Sequence, residues 1–102
     1  GSYQECDYET ILEADKIIVD NIEQCLHRGA LKDLYTQGKI SAEDIYCTIG
    51  DLAVGKKVIE DFSNEKIICV PIGTGAMDVA VAGIIYKKAI SLSIGTEFAF
   101  DL

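Results

Sequence analysis

The residues whose types and spacing could do chemistry lie in one short segment, Gly73-Thr74-Gly75 followed by Asp78. This segment joins an apolar run typical of a buried strand to a patterned helix. A glycine turn at such a junction can aim backbone N–H groups and the positive end of a helix dipole at an anion. The third glycine of a Gly-x-Gly-x-x-Gly fingerprint would fall at Asp78, where a carboxylate repels phosphate. A plain tight turn therefore stays open beside a diphosphate-binding loop.

Asp78 itself has two interpretations. An acidic side chain in the first turn of a helix stabilises that helix by about 0.3–1 kcal/mol through the dipole. The functional alternative is that Asp78 orients an amine substrate or the nicotinamide end of a cofactor, because open α/β sheets place ligands at the carboxyl edge of the strands. The sequence pattern is compatible with both.

The remaining histidine and cysteines do not favour metal or hydrolytic chemistry. His27 is the single histidine, and the predicted helix places it on the polar side, next to Arg28. The four cysteines are widely spaced and match neither a Cys-x-x-Cys zinc pattern nor a dense disulfide framework. We expect them to be reduced packing residues, and we predict no metal site; they are Cys6, Cys25, Cys47 and Cys69.

Charge narrows the range of partners. The 102 residues carry 17 acidic and 9 basic side chains, for a net charge of −8. A negative field of this size repels phosphate backbones and anionic lipid, so nucleic acid and membrane surfaces are not expected partners. No apolar run is long enough to span a bilayer and no basic, then apolar leader opens the sequence, which predicts a cytoplasmic protein.

The elements that must position the glycine turn follow from apolar patterning and indicate an α/β fold. Buried parallel strands are expected over residues 16–20 and 66–71, because β-branched residues cluster there without alternation. A helix is expected over residues 21–28, with Asp20 and Glu23 as a capping box. Further helical pieces reach Gly55, including one that Ser41 and Asp44 start ahead of Ile45. An amphipathic helix over residues 76–91 and a strand over residues 96–100 complete the pattern.

The order of these pieces resembles the C-terminal third of the ornithine cyclodeaminase and mu-crystallin family, including its archaeal alanine dehydrogenase branch. The matching stretches are Ala14-Asp-Lys-Ile-Ile-Val-Asp20, Thr48-Ile-Gly-Asp-Leu-Ala-Val-Gly55, and Asp78-Val-Ala-Val-Ala82 followed by Tyr86 and Ala89. The resemblance implies a cytoplasmic homodimer in which a Rossmann domain binds NAD or NADP, mainly through residues outside this chain. It also implies hydride exchange at the carbon that bears an amino or imino group of a small substrate.

The resemblance assigns a place to each part of the chain. Residues 1–72 would be the distal part of the Rossmann-type parallel sheet with flanking helices. Residues 73–102 would be a closing helix and strand that return to the substrate and dimerisation domain. Gly73, Thr74 and Gly75 would then contact the cofactor, and Asp78 would be the catalytic candidate.

Several positions depart from the family pattern, and they keep two functions open. Tyr3 stands where cyclodeaminases carry an aspartate, Ile59-Glu60 replaces a Gly-Arg pair, and Pro71 replaces a serine. The first function is an amino-acid dehydrogenase or deaminating cyclase, for which these 102 residues alone are predicted to be inactive. The second is a non-catalytic relative that binds a small molecule or dimerises.

Overall fold

The computed structural model describes residues 4–100 and divides the chain into two compact units, Gly1–Ile72 and Gly73–Leu102. Tyr3 lies outside the described residues. In chain order the elements of the first unit are α1 (Tyr8–Leu12), β1 (Lys16–Val19), α2 (Ile22–His27), a 3-10 turn (Gly29–Leu31), α3 (Lys32–Thr36), a second 3-10 turn (Ala42–Asp44), β2 (Ile45–Thr48), α4 (Ile49–Ala53) and β3 (Ile67–Cys69). The second unit contains α5 (Gly75–Ser91).

The first unit is built on a parallel sheet of three strands in the order β2-β1-β3. Ile17 of the central strand lies opposite Ile45 of β2 and Ile68 of β3. Parallel strands covered on both faces have continuous apolar runs, and Ile17, Ile18 and Val19 are all buried. Ile17 and Val19 pack in one core cluster with Ile45 of β2 and with residues of the helices and their connections; the latter are Ile11, Cys25, Leu26, Leu31, Leu34 and Ile40.

The structure confirms the α/β class and the parallel sheet, together with the two buried strands predicted over residues 16–20 and 66–71 and the helix that follows the first of them. One local detail was wrong. The cap of α2 is Asn21, whose side-chain oxygen accepts a hydrogen bond from Gln24 N at 2.9 Å, and not Asp20. An N-cap side chain must lie next to the first helical residue to reach these amides, and α2 begins at Ile22. Asp20 is thereby left for other contacts.

The helical piece expected ahead of Ile45, Ile49 and Leu52 was right at α4 (Ile49–Ala53) and wrong at residues 45–48. Ser41 and Asp44 do form a capping box, but it closes a single 3-10 turn, and the chain then enters β2. Residues 45–48 are Ile, Tyr, Cys and Thr, which prefer strands to helices. They pair with β1 on the side opposite β3. Tertiary pairing decided the conformation of this short segment over the local capping signal.

The second unit contains the predicted long helix, with two differences from expectation. Every residue of α5 is exposed or half-buried within this chain, and apolar side chains lie all round it rather than along one face. Residues 96–100 form no strand in the part of the chain that the structure describes, although the Phe98 and Phe100 rings do meet edge to face at 5.1 Å. Among residues 4–100, no helix combines the length and the apolar character that crossing a bilayer requires.

Candidate functional site

Several polar groups of the first unit meet at the carboxyl edge of the sheet. Parallel strands end on the same edge, so the residues that follow β1, β2 and β3 lie at one side of the sheet. These residues include Asp20 after β1, Thr48 at the end of β2, and the Pro71-Ile72 pair after β3. This is the edge at which open α/β sheets bind ligands.

Asp20 is the central hydrogen-bond acceptor at this edge. Its Oδ1 accepts from Asn21 N at 3.0 Å, from the Cys25 thiol at 3.2 Å and from Ile72 N at 3.1 Å. Asn21 lies in the β1–α2 connection and Cys25 lies in α2, whereas Ile72 follows β3. One carboxylate oxygen therefore ties the ends of two neighbouring strands together.

Cys25 supports Asp20 from the interior. The thiol is 1% exposed and also lies 3.7 Å from the Val70 carbonyl oxygen. Burial, followed by the hydrogen bond to Asp20, raises the pKa of Cys25 above its ordinary value, so the group stays a neutral donor. A thiol in this state serves structure rather than nucleophilic chemistry.

Thr48 and Asp51 organise the edge at the end of β2. The Thr48 Oγ1 accepts from Asp51 N at 3.1 Å, and an Asp51 carboxylate oxygen accepts from Thr48 N at 3.0 Å. This reciprocal pair caps α4, and the hydrogen bonds from Thr48 lower the pKa of Asp51. At neutral pH the Asp51 carboxylate is therefore ionised, and its hydrogen bonds with Thr48 hold the connection from β2 into α4.

A cavity of about 510 Å³ adjoins this edge within the first unit. Its walls combine the β3 segment from Ile68 to Ile72 with Cys25, Arg28 and the 3-10 turn. A Cβ at Gly29 would lie 3.6 Å from the Ile72 side chain, which is ordinary van der Waals contact, so it is the φ of +77° that favours glycine here.

The four predicted site residues open the second unit. Gly73 has φ +85°, Thr74 is the N-cap of α5, and Gly75 is its first residue. The Thr74 carbonyl accepts from Met77 N at 3.0 Å, while its hydroxyl makes no capping bond. Asp78 is exposed in the first turn, so the turn and the carboxylate share one helix start.

The other predicted features have mixed outcomes. His27 is on the surface as predicted, 3.2 Å from the Glu23 carboxylate. All four cysteines are free; Cys25 and Cys47 are buried as expected of packing residues, while Cys69 is exposed. Within residues 4–100, no group of three potential ligands is placed to hold a metal ion. The family departures Glu60 and Pro71 are exposed.

Sequence reasoning missed the structural role of Asp20 and Cys25. Asp20 was assigned to a helix cap, and Cys25 to packing alone. A polar residue directly after a buried parallel strand was the available signal for Asp20, because such positions lie at the ligand-binding edge of a sheet. No sequence signal links either residue to Ile72, which lies 52 positions beyond Asp20.

Comparison with known sequences identifies relatives along almost the whole chain. No family model matches. Alanine dehydrogenase of Archaeoglobus fulgidus is 37% identical over 97 residues, which are 95% of this chain and 30% of that protein. A Delta(1)-pyrroline-2-carboxylate reductase of Bacillus cereus is 28% identical, over 95% of this chain and 30% of its own length. An uncharacterized cyclodeaminase of Sinorhizobium fredii is 27% identical over 92% of this chain and 28% of its own length.

Solved structures agree with these relatives. An archaeal alanine dehydrogenase dimer with bound NAD superposes with a TM-score of 0.76 at 37% identity, over 96% of this chain and 30% of that one. Delta(1)-pyrroline-2-carboxylate reductase of Thermococcus litoralis, in complex with NADH and L-proline, superposes with a TM-score of 0.75 at 25% identity, over 93% and 29% respectively. The chain thus spans about 30% of the length of the relatives it matches. It is a homologue of the family that contains archaeal alanine dehydrogenase, pyrroline-2-carboxylate reductases and cyclodeaminases, and the resemblance drawn from the sequence is confirmed.

Proposed function

We propose that the complete protein is an NAD(P)-dependent oxidoreductase or deaminating cyclase that acts on a small amino or imino acid. The observation that carries this proposal is the similarity, over nearly the whole chain, to one protein solved with NAD and another solved with NADH and L-proline. Residues 1–72 would be the distal part of the NAD(P)-binding domain. Residues 73–102 would lead back to a substrate and dimerisation domain of a cytoplasmic homodimer.

The first residues of the second unit fit the nicotinamide end of such a cofactor. Among residues 4–100, leaving aside the adjoining residues and the backbone of α5 itself, no heavy atom lies within 4 Å of a Cβ built at Gly73 or Gly75, which supports the approach of a planar ring to the backbone there. When bound, the nicotinamide supplies the hydride acceptor or donor. Gly73, Thr74 and Gly75 would hold the cofactor, and the exposed Asp78 carboxylate would orient the substrate amine or the ring amide.

These 102 residues would not be catalytic by themselves. Their sequence contains no complete Gly-x-Gly-x-x-Gly loop for the diphosphate, and Asp78 has no second titratable partner for proton transfer in its own helix turn. Turnover of any amino acid by the 102-residue chain alone would contradict this statement.

The test is cofactor binding followed by turnover in the complete protein. Binding to the protein should enhance the nicotinamide fluorescence of NADH or NADPH, and the lower Kd from the two titrations identifies the preferred cofactor. The oxidation of L-alanine and L-proline, and the deamination of L-ornithine, would then distinguish the three activities. If the complete protein bound neither NADH nor NADPH, an NAD(P)-dependent enzymatic function would be excluded.

A second candidate, a non-catalytic relative, is favoured by one group of observations. Pro71 and Ile59-Glu60 stand where the family resemblance expects polar groups, and Pro71 directly precedes the Ile72–Gly73 step. Such a protein would bind a dinucleotide or a small amino acid without turnover, or would serve only to dimerise. Tight NADH binding with no oxidation of any tested amino acid would support it.

A further inference from the structure

Two carboxylates bracket β1, and each holds one end of β3. Asp15 precedes β1, and its Oδ2 accepts from Lys66 N at 2.7 Å, just before β3 begins. Asp20 follows β1, and its Oδ1 accepts from Ile72 N at 3.1 Å, just after β3 ends. The two bonds are chemically alike and lie at opposite ends of the same strand pair.

The amino end of β3 is held by additional bonds. The Lys66 carbonyl accepts from both Asp15 N at 2.7 Å and Lys16 N at 3.2 Å. Lys16 and Glu65 also form an ion pair at 2.5 Å, and Lys66 lies 3.4 Å from Glu13. Loss of the Asp15 carboxylate would therefore leave this end in place.

At the carboxyl end, the backbone pairing is interrupted and the carboxylate takes the next donor. The backbone bond from Val70 N to the Ile18 carbonyl, at 2.9 Å, continues the pairing with β1 one residue past β3. Pro71 has no N–H to donate, so the next donor along the chain is Ile72 N, and it goes to Asp20. Ile72 immediately precedes Gly73, where the glycine turn begins.

Asp20 is itself fixed before it meets Ile72. The backbone N–H of Asn21 and the buried Cys25 thiol both donate to the same Oδ1 atom. The carboxylate thus needs little reorganisation to hold Ile72, which is the condition for accurate positioning of a neighbouring site.

We propose that Asp20 is a positioning residue: it holds Pro71-Ile72 at the end of β3 and thereby sets the backbone from which the Gly73–Gly75 turn departs. In this role Asp20 acts through the backbone of Ile72. Its consequence for catalysis, though not the positioning itself, rests on the proposed oxidoreductase function.

Amide hydrogen exchange in the complete protein tests the positioning without any cofactor. Asp20→Ala should speed exchange at the Ile72 amide by roughly tenfold or more, because a bond to a charged acceptor is lost. The matched control Asp15→Ala should leave Ile72 within about twofold of the wild-type rate. If Asp20→Ala does not fold, Asp20→Asn replaces it, and a smaller rise at Ile72 is expected because the acceptor becomes neutral. An unchanged Ile72 rate in the folded variant would overturn the proposal.

Steady-state kinetics of the same variants tests the consequence. Asp20→Ala should lower kcat by roughly ten- to a hundredfold, since misplacement by about 1 Å is sufficient for such losses, while the Kd for NADH stays within about threefold. Asp15→Ala should change neither quantity. Equal losses of kcat in both variants would show a general structural effect and overturn the positioning role. Absence of NADH binding in the wild type would instead overturn the proposed function, and hydrogen exchange would still decide the role of Asp20.

Discussion

Gly73 and Gly75 flank Thr74 at the start of α5, but their backbones make different demands. Gly73 has φ +85°, which side-chain-bearing residues rarely adopt, whereas Gly75 has no positive φ and is the first helical residue. Gly73→Ala should therefore lower the stability of the turn by about 1 kcal/mol. Gly75→Ala should change it by less than about 0.5 kcal/mol, because within residues 4–100 the new carbon meets no heavy atom within 4 Å beyond its chain neighbours and the backbone of its own helix. Hydrogen exchange of the first α5 amides measures both effects.

The same pair of variants separates stability from cofactor binding. If the nicotinamide approaches the bare backbone at Gly75, the methyl group of Gly75→Ala should weaken NADH binding although the turn keeps its stability. Wild-type NADH affinity in Gly75→Ala would count against contact between this residue and the cofactor. Asp78→Asn complements the test, since it keeps the side-chain shape and removes the charge that is proposed to orient an amine.

The raised pKa of Cys25 predicts that the stability of the folded state depends on pH. Because burial and Asp20 raise its pKa in the folded state, Cys25 contributes stability below the pKa of an unfolded cysteine, about 8.5. That contribution is lost as pH rises through the higher, folded pKa. In protein labelled with ¹³C at cysteine Cβ, the Cys25 resonance should titrate at higher pH than it does in urea. A midpoint at or below the value in urea would contradict the buried Asp20–Cys25 contact.

At the level of elements, the predictable parts were those with a long or uniform apolar signal. β1 and β3 each come from a short apolar run bounded by polar residues or proline, α5 contains a long apolar run over residues 79–86, and the positions of all three were predicted within a few residues. β2 was not predicted, because four residues after a capping box are too few to reveal a partner strand more than 25 positions away. The site divides in the same way: the glycine turn is visible in the sequence, whereas the bond from Ile72 to Asp20 exists only in the fold.

The Thr48–Asp51 box should stabilise the connection between β2 and α4. Thr48→Ala removes the hydroxyl acceptor for Asp51 N and should lower the local opening free energy of α4 by about 1 kcal/mol. Thr48→Ser keeps the acceptor and is the matched control. Hydrogen exchange of the α4 amides provides the measurement, and equal exchange in the two variants would show that the cap contributes nothing.

The carboxylate half of the box adds a dependence on acid. The hydrogen bonds from Thr48 lower the pKa of Asp51, so their stabilisation is complete above the unfolded pKa of about 3.9 and is lost as pH falls through the lower, folded value. The α4 amides should therefore exchange faster, relative to intrinsic rates, below about pH 4. Asp51→Asn should show little further change in that range; an equally steep change in Asp51→Asn would assign the effect to another group.

At the scale of the whole molecule, α5 carries more apolar surface than the other described residues of this chain bury. Val79, Tyr86 and Ile90 lie on one side, Val81, Ile84 and Ile85 lie on the other, and each is at least 55% exposed. A helix that is apolar all round is normally buried in a core, and a 17-residue helix without tertiary packing is marginal in water. In a complete protein of the kind proposed above, residues outside this chain would cover such a helix; in the matched relatives, about 70% of the length lies outside the part that this chain spans.

This mismatch predicts how the 102-residue chain behaves in isolation. Its exposed apolar helix should drive self-association, which sedimentation velocity would detect as oligomers that grow with concentration. Val79→Glu with Ile90→Glu should reduce association through one side of α5, and Val81→Glu with Ile84→Glu should do so through the other. Comparable reductions by both pairs are expected, because both sides carry similar apolar surface. If the chain stayed monomeric at all concentrations while circular dichroism showed α5 to be helical, the helix would be stable without further packing partners. That result would contradict its assignment to a larger core.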